Sequence, residues 1–166
     1  MRRWTILSYR TFFGSGPTGL AATFSVWIVA VGVSQFLSLP SIVMPEGMWW
    51  FLFVLFVIDF FVTIAWSLKH LPFSKRGKEL VTTGPYAWSR HPLYSAFIWS
   101  GTGIVVLLSR SWGVLFSALP ISIFWAWHIT GEEDFLLKRF GNDYRKYMEN
   151  TGQFFPKLKR DENRDK

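Results

Sequence analysis

The sequence predicts an all-α polytopic membrane protein, with four transmembrane helices and a cytoplasmic amphipathic C-terminal helix. Three observations carry this. Half of the 166 residues are apolar and only 17% are charged, too few to build a soluble surface around ten Trp and seventeen Phe. Long stretches carry no charge: none lies between Arg10 and Glu46, only Asp59 between Gly47 and Leu68, and none from Pro92 to Ser109 or from Ser111 to Gly131. Each is of a length to cross, or nearly cross, a hydrocarbon core of about 30 Å. Finally, the basic residues cluster in alternate loops.

Taken in order, the first span is expected from Leu20 to Leu39, preceded by Gly19 and closed by Pro40, which removes a backbone donor. It reads as a retained helix, because no good cleavage site follows it. Ahead of it, Trp4, Ile6, Leu7, Phe12 and Phe13 among basic residues fit an interfacial helix, and the glycines of GSGPTG read as a hinge. The second span runs from Met48 to Leu68, with Trp49, Trp50 and Trp66 as interfacial anchors. The third runs from Leu93 to Ser109, with Pro92 in its first turn. The fourth runs from Trp112 to Ile129, where Pro120 is expected to kink it or open it locally. Only Arg110 and Ser111 separate spans three and four, which predicts a tight antiparallel hairpin.

After span four, Thr130 with Glu133 three residues on has the spacing of a capping box. Phe135, Leu136, Phe140, Tyr144 and Tyr147 then recur at helical spacing, with Gly141 placed to bend or split the helix. The whole reads as one domain, residues 1–166, ending in a frayed charged tail over 157–166.

Orientation follows from the basic residues. Arg2, Arg3 and Arg10 precede span one, and Lys69, Lys75, Arg76, Lys78 and Arg90 lie between spans two and three. Nine more Lys or Arg follow span four, whereas the two opposite loops offer only Glu46 and Arg110. The positive-inside rule places both termini and the middle loop in the cytoplasm. The short chain suits a prokaryotic inner (plasma) membrane. The net charge of +7 reads as orientation and attraction to anionic lipid, and no motif supports nucleic-acid binding. Cysteine is absent, which excludes disulfides, thiolate zinc sites and a cysteine nucleophile. No metal site is expected: His128 and Glu132 supply two ligands at i,i+4 spacing without an evident third.

Chemistry is expected where two segments meet at the membrane surface. Arg90 and His91 stand directly before span three, while His128, Glu132 and Glu133 stand at and just beyond the end of span four, on the same side. Such a place suits an enzyme joining a lipid-like substrate to a water-soluble one. The plainer readings are an orienting charge or lipid anchor for Arg90 and favourable helix N-terminal acids for Glu132 and Glu133. Asp59, in the middle of span two, should face another helix or a cavity. His70 reads as a solvated end-of-helix residue.

The segment Gly84-Pro85-Tyr86-Ala87-Trp88-Ser89-Arg90-His91-Pro92-Leu93-Tyr94 resembles the signature of the isoprenylcysteine carboxyl methyltransferase family, whose wider superfamily includes phospholipid N-methyltransferases. Glu132-Glu133, Leu136, Phe140-Gly141, Tyr144, Tyr147 and Pro156 are similar to its second signature. The resemblance covers about residues 78–156. It implies an S-adenosylmethionine-dependent methyltransferase whose cofactor is held by this C-terminal half. By that resemblance Tyr86, His91, Pro92, Leu93 and Tyr94 line the cofactor pocket, and Lys78, Leu80 and Val81 belong to a second contacting segment. Glu133 is counted with these cofactor-binding residues. Glu132 would stand near the methyl donor or substrate, and Arg90 would brace the loop or meet the cofactor's carboxylate. Two positions depart from the family pattern. Ser95-Ala96 follows Tyr94 where many relatives have a small residue and then glycine. His128 stands one turn before the glutamate pair, where eukaryotic members tend to carry arginine.

The acceptor implied is lipid-like or otherwise apolar. A carboxylate needs no base; an amine does, and Glu132 or His128 could serve. O-methylation of an isoprenylcysteine-like carboxylate is the first expectation, with N-methylation of a phospholipid or small amine beside it. A sterol-reductase relative using NADPH and a non-catalytic membrane scaffold are the other readings.

Overall fold

The structure is a computed structural model describing residues 15–157. The interfacial helix expected before residue 15 and the tail beyond residue 157 lie outside the described residues. The helices are α1 (Gly16–Phe36), α2 (Glu46–His70), α3 (Pro92–Ser109), α4 (Trp112–His128), α5 (Thr130–Phe140) and α6 (Asn142–Asn150). A 3₁₀ turn, Gly84–Ala87, stands before α3. Four helical stretches are long and apolar enough to cross a membrane, the last running from Trp112 to Phe140.

Local chemistry sets the boundaries. α1 starts four residues earlier than the apolar run suggests, because Pro17 is pre-shaped for a first turn. The stretch read as a hinge therefore begins the helix. α1 ends at Phe36, and Ser38 beyond it is left-handed at φ 48°. α2 carries Glu46 in its first turn and Lys69 and His70 in its last, each matching the helix dipole. Arg110, at φ 50°, turns the chain between α3 and α4, and Ser111 caps α4 by accepting from Val114 N–H at 3.3 Å. The hairpin is thus as tight as expected. α4 continues unbroken through Pro120.

Two features differ from expectation. Residues Ala96–Gly101 of α3 form a π-helical stretch, which no sequence signal announced. The expected capping box does not form: Thr130 sits inside α5 and donates to Trp127 O at 2.7 Å, while the Glu133 carboxylate turns to Arg90. Gly141, at φ 56°, does split the following helix, into α5 and α6.

α1 packs along α4 and α2 along α3, with the α3–α4 hairpin between them. The buried cluster is Trp27, Tyr94, Ile98, Val106, Val114, Ile121, Trp125 and Ile129. Buried polar pairs fix its register: Trp27 Nε1 donates to Thr102 Oγ1 at 3.1 Å and Trp125 Nε1 to Thr23 Oγ1 at 2.9 Å. α2 is peripheral, with Ser67 its one buried residue, and large apolar side chains cover its outer face as lipid contact requires. Asp59 accepts from the Ser100 hydroxyl on the π-helical stretch, a polar contact between two spans.

Gly19 gives α1 its close approach to α4. A Cβ there would stand 2.3 Å from the Trp125 ring, a fully buried side chain. Gly19→Leu is therefore expected to destabilise the bundle by about 1–3 kcal/mol or more. Thermal unfolding in detergent, followed by circular dichroism, checks this; an unchanged transition would contradict the packing described.

Candidate active site

A cleft opens at the end of the bundle where α2, α4 and the chain before α3 terminate. It holds about 860 Å³ of space not filled by protein atoms, the open mouth included. Three segments wall it. The loop after α2 contributes Leu71, Arg76, Gly77, Glu79, Leu80 and Val81. The 3₁₀ turn and the start of α3 contribute Tyr86 and the run from Arg90 to Tyr94. α5 and α6 contribute Glu132, Phe135, Leu136, Tyr144 and Tyr147.

The turn before α3 is held from behind. Glu133 is 8% exposed and receives Arg90 Nε at 2.8 Å, His91 Nε2 at 3.2 Å and Gln153 Nε2 at 3.3 Å. Arg90 Nη1 donates to the carbonyls of Thr151 and Met148 as well. Residues 151–155 lie along this turn as a strap. Arg90 N–H donates to Gly152 O at 2.9 Å, His91 N–H to Gln153 O at 3.1 Å, and the Ser89 and Ser95 hydroxyls to Gln153 O and Phe154 O. Gly84, at φ 62°, lets the 3₁₀ turn close on α2: a Cβ there would stand 2.4 Å from His70 Nε2. His70 ends α2 and stays partly exposed, as the sequence suggested, while one edge of its ring packs against this turn of the cleft wall.

Glu132 faces the cleft. Its Oε2 accepts from Tyr94 Oη and from the Ser15 backbone N–H, each at 3.1 Å. Tyr94 stacks between His91 and Trp125, joining the cleft wall to the bundle core. Burial pushes the Tyr86 phenol up to about 12, the Arg76 charge opposing and Glu132 adding to the shift. Burial likewise raises the phenols of Tyr144 and Tyr147. All three stay neutral hydrogen-bond donors near neutral pH. Tyr147 donates to Tyr86 O at 2.6 Å, whereas the buried Tyr144 hydroxyl has no partner among the described residues.

Of the residues singled out in the sequence, Leu80, Val81, Tyr86, Arg90, His91, Pro92, Leu93, Tyr94 and Glu132 line the cleft together. Three do not. Lys78 is exposed outside it. Glu133 lies behind the wall, bonded to Arg90 and His91. The His128 ring turns to the start of α1, 2.8 Å from Thr18 Oγ1 and 3.2 Å from Ser15 O. Sequence reasoning counted Arg76 only as an orienting charge, took Glu79 only as part of the stretch 78–81, and gave Ser15 no role. The Arg76-Gly77 pair was the available signal, since Gly77 at φ 68° marks a turn.

Fold and cleft together define a polytopic, all-helical integral membrane protein with a ligand cleft at one end of its bundle. The model of the phospholipid methyltransferase family matches residues 47–143, more than half of the chain. The chain belongs to that family. It is 36% identical over 92 residues to the protein-S-isoprenylcysteine O-methyltransferase of Schizosaccharomyces pombe, covering 54% of this chain and 39% of the relative. With its counterpart from Saccharomyces cerevisiae it shares 31% identity over 96 residues, 57% of this chain and 40% of the relative. It is also 35% identical over 86 residues to the nickel-cobalt-cadmium resistance protein NccN of Alcaligenes xylosoxydans xylosoxydans, 51% of this chain and 39% of that protein. The matches thus span about 40% of the length of these curated relatives.

Proposed function

We propose that this chain is an S-adenosylmethionine-dependent methyltransferase acting on a lipophilic carboxylate, of the isoprenylcysteine kind, at the cytoplasmic face of the membrane. The observation that carries the reading is the convergence of two distant segments, Tyr86 to Tyr94 and Glu132 to Tyr147, on one cleft at the end of an apolar bundle. The names of the yeast relatives agree with it. The alternation of basic loops supports a cytoplasmic cleft, with both termini on that side.

The residues present fit the donor. The cleft has an apolar wall of Leu80, Val81, Leu93, Phe135 and Leu136, and two buried groups without hydrogen-bond partners among the described residues, the Tyr144 hydroxyl and Arg76 Nε. Bound S-adenosylmethionine would supply a methyl carbon activated by its sulfonium charge, open to direct attack by the acceptor carboxylate, with the thioether sulfur leaving on the carbon–sulfur bonding pair. What remains for the protein is to orient the reactants and exclude bulk water. His91, Pro92 and Leu93 form a fixed wall because Glu133 and the strap hold their turn. Glu132 is fixed by Tyr94 and Ser15 at the cleft surface, where its carboxylate would offer a favourable charge to a bound sulfonium. The same Glu132 favours a second reading, transfer to an amine, since it is positioned to take the amine's proton.

His91→Ala and Glu132→Ala are each expected to weaken binding of S-adenosylmethionine, or slow methyl transfer to N-acetyl-S-farnesylcysteine, by about ten-fold or more. Calorimetric titration and labelled-methyl transfer on the full chain measure the two effects. If both variants bound and transferred as the parent does, the site would be wrongly placed. Transfer to ethanolamine phospholipid in place of the acid would select the amine reading, and titration with NADPH tests for a reductase.

A further inference from the structure

Among the described residues, Arg76 is a cation on the cleft wall to which no carboxylate is paired. It lies in the loop after α2, next to Gly77, and both line the cleft. Its guanidinium carbon stands 4.2 Å from the centre of the Phe73 ring, a cation–π contact. Its Nε is buried and has no hydrogen-bond partner among the described residues. The acids around it are engaged elsewhere. Glu79 Oε2 is bound by Lys75 Nζ at 2.8 Å, and Glu132 Oε2 takes Tyr94 and Ser15. Glu133, behind the wall, holds Arg90 and His91. The ion pairs among the described residues are therefore made without Arg76. Arg90, the other arginine of the cleft, already gives its guanidinium to Glu133 and two carbonyls.

A buried donor left without an acceptor is unfavourable unless a ligand completes it. The planar fork of a guanidinium matches a carboxylate through two parallel N–H···O bonds. We propose that Arg76 is the carboxylate-recognising residue of the cleft. This rests on the methyltransferase reading and deepens it: the carboxylate belongs either to the amino-acid end of the methyl donor or to the acceptor.

The test uses the full chain in detergent micelles, with Arg76→Gln and Arg76→Lys. In the donor arm, calorimetry compares S-adenosylmethionine with its decarboxylated form. In the acceptor arm, with S-adenosylhomocysteine present, it compares N-acetyl-S-farnesylcysteine with its carboxamide. R76Q is expected to weaken one of the two carboxylates by about ten- to hundred-fold and to leave the carboxyl-free counterpart unchanged. R76K, which keeps the charge and loses the fork, falls between. The arm that responds identifies the source. Equal weakening of acid and carboxyl-free probe, or no weakening in either arm, would overturn the proposal. If R76Q loses its cooperative unfolding transition, R76K is read by the same comparison. A parent protein that binds neither form of the donor would overturn the methyltransferase reading itself; a parent that binds, with variants that match it, would overturn only the role of Arg76.

Discussion

Glu133→Ala is expected to lower stability by about 3–5 kcal/mol, the usual consequence of removing one partner from a buried ion pair. Glu133 is 8% exposed and is the common acceptor for Arg90, His91 and Gln153, which come from two separate segments. Without it the Arg90 guanidinium keeps only backbone carbonyls and its charge loses its counterion. The turn that carries His91 to the cleft then loses its anchor, so donor binding should fall along with stability. Thermal unfolding in detergent and calorimetric titration with S-adenosylmethionine measure the two losses. The double variant Glu133→Ala with Arg90→Ala should be less destabilised than the sum of the single changes, because no buried charge is left behind. A single variant within about 0.5 kcal/mol of the parent would mean that the pair is not buried as described.

Gly152→Ala is the second large effect. A Cβ on Gly152 would lie 1.9 Å from the carbonyl oxygen of Phe155. That atom is backbone, so no change of rotamer relieves the overlap, and the strap over 151–155 has to move. The strap is held to the turn before α3 by hydrogen bonds to Gly152, Gln153 and Phe154 carbonyls. Displacing it is expected to destabilise the protein by about 2–3 kcal/mol and to weaken donor binding, although Gly152 lines no part of the cleft. Hydrogen exchange at the Arg90 and His91 amides is the direct readout: faster exchange there, with α1 to α4 unchanged, marks a loosened strap. Unchanged protection would show that the turn stands without it.

Much of the fold was legible because its signals are local. Charge-free stretches give the spans, Pro40 and Pro92 punctuate them, and two residues suffice to mark the α3–α4 hairpin, whereas Pro17, read as part of a hinge, in fact opens α1. The π-helical stretch of α3, which packs against α2, was not legible, since no break in the apolar pattern marks it. Thr130 and Glu133 misled for a related reason. Their spacing fits a capping box, but α4 feeds α5 through Ile129 alone, and a buried arginine competes for the carboxylate. At the cleft, residues inside the two signatures were found by pattern. Arg76 and Ser15 were not, because their positions depend on which loop and which helix end the fold brings back to Glu132 and Tyr86.

The stretch from Trp112 to Phe140 is 29 residues long, about 44 Å at 1.5 Å per residue, against a hydrocarbon thickness of about 30 Å. Counted from Trp112, about 30 Å of helix is used up near Gly131, which puts Glu132, in the first turn of α5, just past that length. The height of the cleft above the hydrocarbon is therefore fixed by counting residues. An amphiphile that meets Glu132 must float with its polar end at that level while its tail stays submerged. On the function proposed above, bilayer depth would sort acceptors before any side chain touches them, favouring those whose polar end floats at the level of Glu132.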